Sequence, residues 1–91
     1  MKHPVSQNAH AHDVRRFVGQ RIKDARARQR LTAIDLATDA HVSIGTVRNV
    51  ESGATEIGFG AMLDLFWALD FSADDVLAIL AEDARARGGA A

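Results

Sequence analysis

The apolar positions of this chain fall at helical spacings, and polar caps divide them into five segments. Val14, Phe17, Val18, Ile22 and Ala25 recur at three- and four-residue steps, which predicts a helix from Asp13 with Arg15, Arg16 and Lys23 off its stripe. Leu31 ends that segment. Thr32, with Asp35 three residues on, has the form of a capping box and starts a second helix of about two turns, whose inward side is Leu36, Ala37 and Ala40. His41 and Val42 make a tight turn. Ser43 caps a third helix with Val47 and Val50 inward, and "ESGATEIG" is a loop. A fourth helix is predicted from Phe59 to Leu69, and Ser72 with Asp75 starts a fifth that runs to about Ala86. The expected fold is therefore all-α, with about five short helices. One domain spans 13–86, between a mobile arm over 1–12 and a disordered tail over 87–91.

The fourth segment, "MLDLFWALDF", is apolar nearly all round. A helix in so small a domain cannot bury every face within its own chain. Phe59, Leu63, Phe66 and Leu69 are expected in the core, leaving Leu65 and Trp67 over. Tryptophan is enriched at interface anchors. Leu65 and Trp67, with Leu77, Ile79 and Leu80 of the fifth helix, are thus the expected homodimer or partner contact.

Composition narrows the function. Ninety-one residues bury only roughly 60–65% of the surface that the unfolded chain exposes, so a tight helical core or a partner must supply stability. The absence of cysteine excludes disulfides and thiolate metal sites. His10 and His12 alternate as a metal pair does, but no further ligands stand near them, and no metal or other cofactor is expected. No apolar run reaches membrane-span length and no signal peptide is apparent, so a cytoplasmic location is expected. Asp35 and Asp39 share a helix face as solvated like charges, and no nucleophile–base–orienter set is present; the chain does not read as an enzyme.

The net charge of −1 hides a division: residues 1–51 carry nine Lys and Arg against five acids, residues 52–91 two against seven. A basic half and an acidic half suit a polyanion on one side only. Two charges stand close to apolar stripes, Arg26 four residues after Ile22 and Glu51 four after Val47. A charge there is costly unless paired, so Arg26–Glu51 is the expected ion pair. On the third helix, 100° per residue puts Gly45, Asn49 and Ser52 opposite the core, with Thr46 and Arg48 flanking and Ile44 nearer the inward side. That outer surface is low in bulk and charge.

Two short helices joined by a tight turn, the second facing outward, form a helix-turn-helix arrangement, here over about 32–51. From Val18 to Leu80 the chain resembles the phage repressor/Cro-type (XRE-like) helix-turn-helix family. The resemblance rests on Gly19, Ile22 and Arg26 of the first helix, on "LTAIDLA", "VS" and "VRNVESG", and on the later "ALDFS". Two positions depart from the family pattern. Ala33 stands where glutamine commonly helps anchor the module on DNA, and His41 stands where glycine commonly makes the turn.

The resemblance implies an ion pair between the first and third helices, and a third helix that enters the major groove by its N-terminal end. It implies base contacts by Ile44, Gly45 and Asn49, with Thr46 and Arg48 able to reach bases or phosphates. Asparagine bonds adenine bidentately, isoleucine meets a thymine methyl, and glycine admits close backbone approach. The helix starts at Thr32, Ala33 and Ser43 suit phosphate oxygens. Arg21, Arg28 and Arg30 are also expected at phosphates, adding long-range attraction, and Ser52 and Thr55 fall where the family's following loop meets the DNA backbone.

The function implied is a bacterial or phage-encoded, dimeric, sequence-specific regulator, most simply a repressor on an inverted-repeat operator. The alternative is an antitoxin-like subunit that holds a toxin or other protein through the apolar fourth helix, with DNA binding autoregulatory or lost.

Overall fold

In the computed structural model, residues 4–88 are described, with side chains from Asp13 onward. The first helix, α1, spans Pro4–Arg28. It starts well before Asp13, taking in most of the segment expected as an arm. Proline pre-set for the first helical turn explains the start. The missing apolar periodicity over those residues bears on whether a helix packs, not on whether the backbone coils. His10 and His12 lie outside the described side chains, and residues 89–91 outside the described chain.

Four further helices follow: α2 (Ala33–Ala40), α3 (Ile44–Ser52), α4 (Phe59–Ala68) and α5 (Ala73–Ala86). There is no strand among the described residues. Nor is any helix among the described residues long and apolar enough to cross a membrane.

Local chemistry sets the helix boundaries. Thr32 and Asp35 close a full capping box at the start of α2: the Asp35 N–H donates to Thr32 Oγ1 at 3.0 Å and the Thr32 N–H to Asp35 Oδ2 at 2.9 Å. Ser72 and Asp75 do the same for α5. At the other ends, Arg30, His41, Gly53 and Asp70 all adopt left-handed backbone near φ +60 to +74°. In each case the following N–H reaches back to a carbonyl five residues earlier: Leu31 to Arg26, Val42 to Ala37, Ala54 to Asn49, Phe71 to Phe66. Three of the four left-handed positions lack glycine and carry the steric cost of a Cβ there.

The core is a single cluster of Val18, Ile22, Ala25, Leu36, Ala37, Ala40, Val47, Val50, Leu65 and Leu69. α1 packs on α3 and α5, while α2 packs on α3 and α4. The α1–α3 crossing is close because Gly19 has no side chain. A Cβ there would overlap the Val50 carbonyl oxygen and come within 2.8 Å of that of Glu51. Phe66 and Phe71 stack at 5.0 Å between ring centres and close the end of α4.

α4 corrects the expected core. Leu65 is fully buried, whereas Phe59 and Leu63 are exposed. Met62, Leu65, Phe66 and Leu69 form the inward stripe. In a helix apolar on every side this register fits the sequence as well as the one through Phe59 and Leu63, and docking against α2 decides between them. Leu65 therefore cannot meet a second protein. Ile79 likewise turns toward the core, while Leu77 and Leu80 face out.

Candidate nucleic-acid interface

α3 is held by its inner face and left open on its outer one. Ser43 caps it, accepting the Thr46 N–H at 3.0 Å, and the two hydroxyls share a bond of 2.9 Å. Val47 and Val50 are sunk in the core. One position further along, Glu51 meets Arg26 in a two-pronged pair. Arg26 Nε donates to Oε2 at 2.6 Å and Nη2 to Oε1 at 3.0 Å, while Nη1 donates to the Leu31 carbonyl at 2.9 Å. The side chains are only 18% and 9% exposed. Hydrogen bonding to Glu51 raises the Arg26 pKa further above its already high ordinary value. The guanidinium thus ties α3, α1 and the α1–α2 turn together, and with Gly19 it fixes the angle of α3.

The outer face consists of Gly45, Arg48, Asn49 and Ser52, all exposed, with Ile44 and Thr46 half-buried at its edge. The side chains of Arg48 and Asn49 make no hydrogen bond or ion pair among the described residues, so their donors point to water. A Cβ on Gly45 would find only Ser43 Oγ, at 3.8 Å. Nothing inside the protein requires a glycine there. Ile44 packs partly on the core, which leaves only part of its side chain open to solvent.

The residues expected at phosphates divide into two groups. Thr32, Ala33 and Ser43 stand at the starts of α2 and α3, beside the open face. The Thr32 hydroxyl accepts the Asp35 N–H. The charged Asp35 carboxylate occupies the same helix start, its pKa lowered first by the Thr32 N–H and then by the Thr32 hydroxyl. Arg30 stands just before α2 and Thr55 in the loop after α3, both exposed. Ser52 donates its hydroxyl proton to the Asn49 carbonyl at 3.1 Å and offers outward only an acceptor.

Arg21 and Arg28 lie apart from these residues. At 100° per residue both lie about 160–180° around α1 from Gly19, the residue that faces α3. Arg21 instead meets Asp75 of α5 at 3.5 Å and lies over the Phe17 ring. Both arginines are on the opposite side of α1 from α3, so neither is placed for a direct phosphate contact beside α3.

Arg16, off the apolar stripe of α1, stands beside the end of α3. Its Cγ lies 2.8 Å from where a Cβ of Gly53 would stand, at the end of α3. Its neighbour Arg15 donates to the Gly53 carbonyl and pairs with Glu56. The signal was available in the sequence: Arg16 is one helical turn before Gly19, on the same side of α1.

Compared with protein-family models, curated proteins and solved structures, the chain matches none, so the site is read from its own residues.

Proposed function

We propose that this protein is a helix-turn-helix DNA-binding regulator of the repressor/Cro type, that α2 and α3 form its binding unit, and that it has no catalytic role. The observation that carries the reading is the outer face of α3. Asn49 and Arg48 present unspent hydrogen-bonding groups beside a glycine that no internal contact demands, on a helix whose angle is fixed from behind by Arg26–Glu51. A helix entering the major groove needs that combination: little bulk, directional donors and a rigid seat. Asn49 reads adenine, Arg48 reaches a guanine or a phosphate, and Gly45 lets the backbone approach. Thr32, Ser43, Arg30, Thr55 and Arg16 hold the phosphates on either side.

The regulator acts as a two-fold dimer. Support comes from α5, where Leu77 and Leu80 are 57% and 58% exposed between the exposed alanines Ala73, Ala81 and Ala84. Two copies laid antiparallel along this stripe bring Asp74 of one beside Arg85 of the other, twice. Of the contact expected through Leu65, Trp67, Leu77, Ile79 and Leu80 this keeps Leu77 and Leu80, and leaves out Leu65 and Ile79, which face the core, and Trp67, which lies on α4. Occupation of an inverted repeat then represses by exclusion.

Binding to duplex DNA across a salt series tests the reading. Affinity falls steeply, by at least tenfold between 50 and 200 mM salt if several phosphates are neutralised. No binding, or binding indifferent to salt, removes it.

A second reading, a subunit that docks another protein through α4, is favoured by Phe59 and Trp67, which are 78% and 83% exposed. The two readings use different faces and are compatible.

A further inference from the structure

The exposed side of α4 has a specific chemical character. Phe59, Leu63 and Trp67 recur at four-residue steps and form one continuous apolar stripe, with exposed Gly60 beside it. Phe59 and Trp67 together show water roughly 300–400 Å² of surface. The largest apolar patch of a monomer is of about this size and is often functional.

At the Trp67 end, the stripe opens into a hollow of about 310 Å³ between α2 and α4. It is walled by Asp39, His41, Asp64 and Trp67 and floored by Ala40 and Ala68. Neither Asp39 nor Asp64 has an ion pair among the described residues. The pairs formed among the described residues neutralise other acids instead: Glu51 by Arg26, Glu56 by Arg15, Asp75 by Arg21, Glu82 by Arg85 and Asp83 by Arg87. No lysine or arginine occurs anywhere between Arg48 and Arg85.

We infer that this face docks a basic, amphipathic segment of another protein. Its apolar side chains lie along Phe59, Leu63 and Trp67, and one lysine or arginine enters the hollow. A cation there stacks on the indole and meets two carboxylates, a combination that serves guanidinium and ammonium groups together. Charge excludes a second copy as the occupant. A two-fold contact about this stripe sets an acidic face against its own image, and like charges across an interface are costly. The same argument turns nucleic acid away from α4. The inference rests on the reading of α4 as a protein contact, adds the chemistry of the partner, and is independent of what α3 binds.

Trp67 is the chain's only tryptophan, so its emission reports directly on this face. The full chain is titrated with three synthetic helical peptides of matched length: one of leucine and arginine, one of leucine and glutamate, one of alanine and arginine. The leucine–arginine peptide shifts Trp67 emission to the blue and saturates. The other two require at least tenfold higher concentration, and the double variant Asp39→Asn, Asp64→Asn weakens the leucine–arginine peptide at least tenfold with its melting temperature unchanged. A response that follows leucine content regardless of charge overturns the basic partner but leaves α4 as a protein contact. No response to any peptide overturns both. A blue shift that grows with protein concentration alone assigns the face to self-association and overturns the inference as well.

Discussion

Gly19 of α1 lies directly against the Val50 carbonyl of α3, with no space between them for a Cβ. The close approach lets Arg26, two turns further along α1, reach Glu51 with two hydrogen bonds. A methyl group at position 19 must displace backbone rather than a flexible side chain. Gly19→Ala therefore costs stability at the upper end of the overpacking range, about 3 kcal/mol, although alanine is the better helix former. Urea denaturation measures it, and a variant as stable as the parent contradicts the crossing described here.

Glu51→Gln keeps the shape of the clamp and removes its charge, which leaves the half-buried Arg26 without a counter-ion. The expected loss is about 3 kcal/mol, the low end for a buried pair because Arg26 keeps some contact with water. Glu56→Gln breaks the pair with Arg15, whose carboxylate partner is 70% exposed, and costs under about 1 kcal/mol. Equal losses in the two variants speak against a clamp at Glu51.

His41 sits at φ 59° and ψ 40° at the end of α2. Histidine pays a steric cost there that glycine does not, so His41→Gly stabilises the fold by about 1 kcal/mol. In a domain of this size that raises the melting temperature by about 4–8 °C. A lower melting temperature indicates that the imidazole contributes more than its backbone costs.

Acid weakens the fold through its caps. The Ser72 N–H and hydroxyl lower the Asp75 pKa as those of Thr32 lower that of Asp35, and Arg85 lowers that of Glu82. A carboxylate with a lower pKa in the folded than in the unfolded chain stabilises fully above the unfolded value, about 4. That contribution is lost as pH falls through the folded value. Melting temperatures hold above about pH 5 and drop below pH 4. The double variant Asp35→Asn, Asp75→Asn flattens the drop, and an unchanged slope in that variant assigns the acid sensitivity elsewhere.

The sequence disclosed the boundaries of α2 and α3 almost to the residue because their caps are written in local chemistry: Thr32 with Asp35, Ser43, and the turn at His41. The Arg26–Glu51 pair was legible for a related reason, since two charges beside apolar stripes must meet or be stranded. α4 was not legible in this way. With apolar residues on all sides, no periodicity tells Leu65 from Leu63, and only packing against α2 makes the choice. The side of α1 on which Arg21 and Arg28 lie was not legible either, because charge counts along a chain say nothing about which side of α1 faces α3. Arg16 escaped notice until Gly19 showed where the two helices cross.

Selection of bound duplexes from a random pool tests the central claim, that the Gly45–Asn49 face of α3 reads DNA. Parent protein enriches an inverted repeat with half-sites about one helical turn apart. Asn49→Ala, which folds normally, relaxes the preference at one base pair of each half-site. Gly45→Ala has room for its methyl and gains helix stability, yet binds the enriched duplex at least tenfold more weakly because the backbone can no longer approach. If the parent enriches no sequence, or Gly45→Ala and Asn49→Ala select the same duplexes with the same affinity as the parent, α3 does not read DNA.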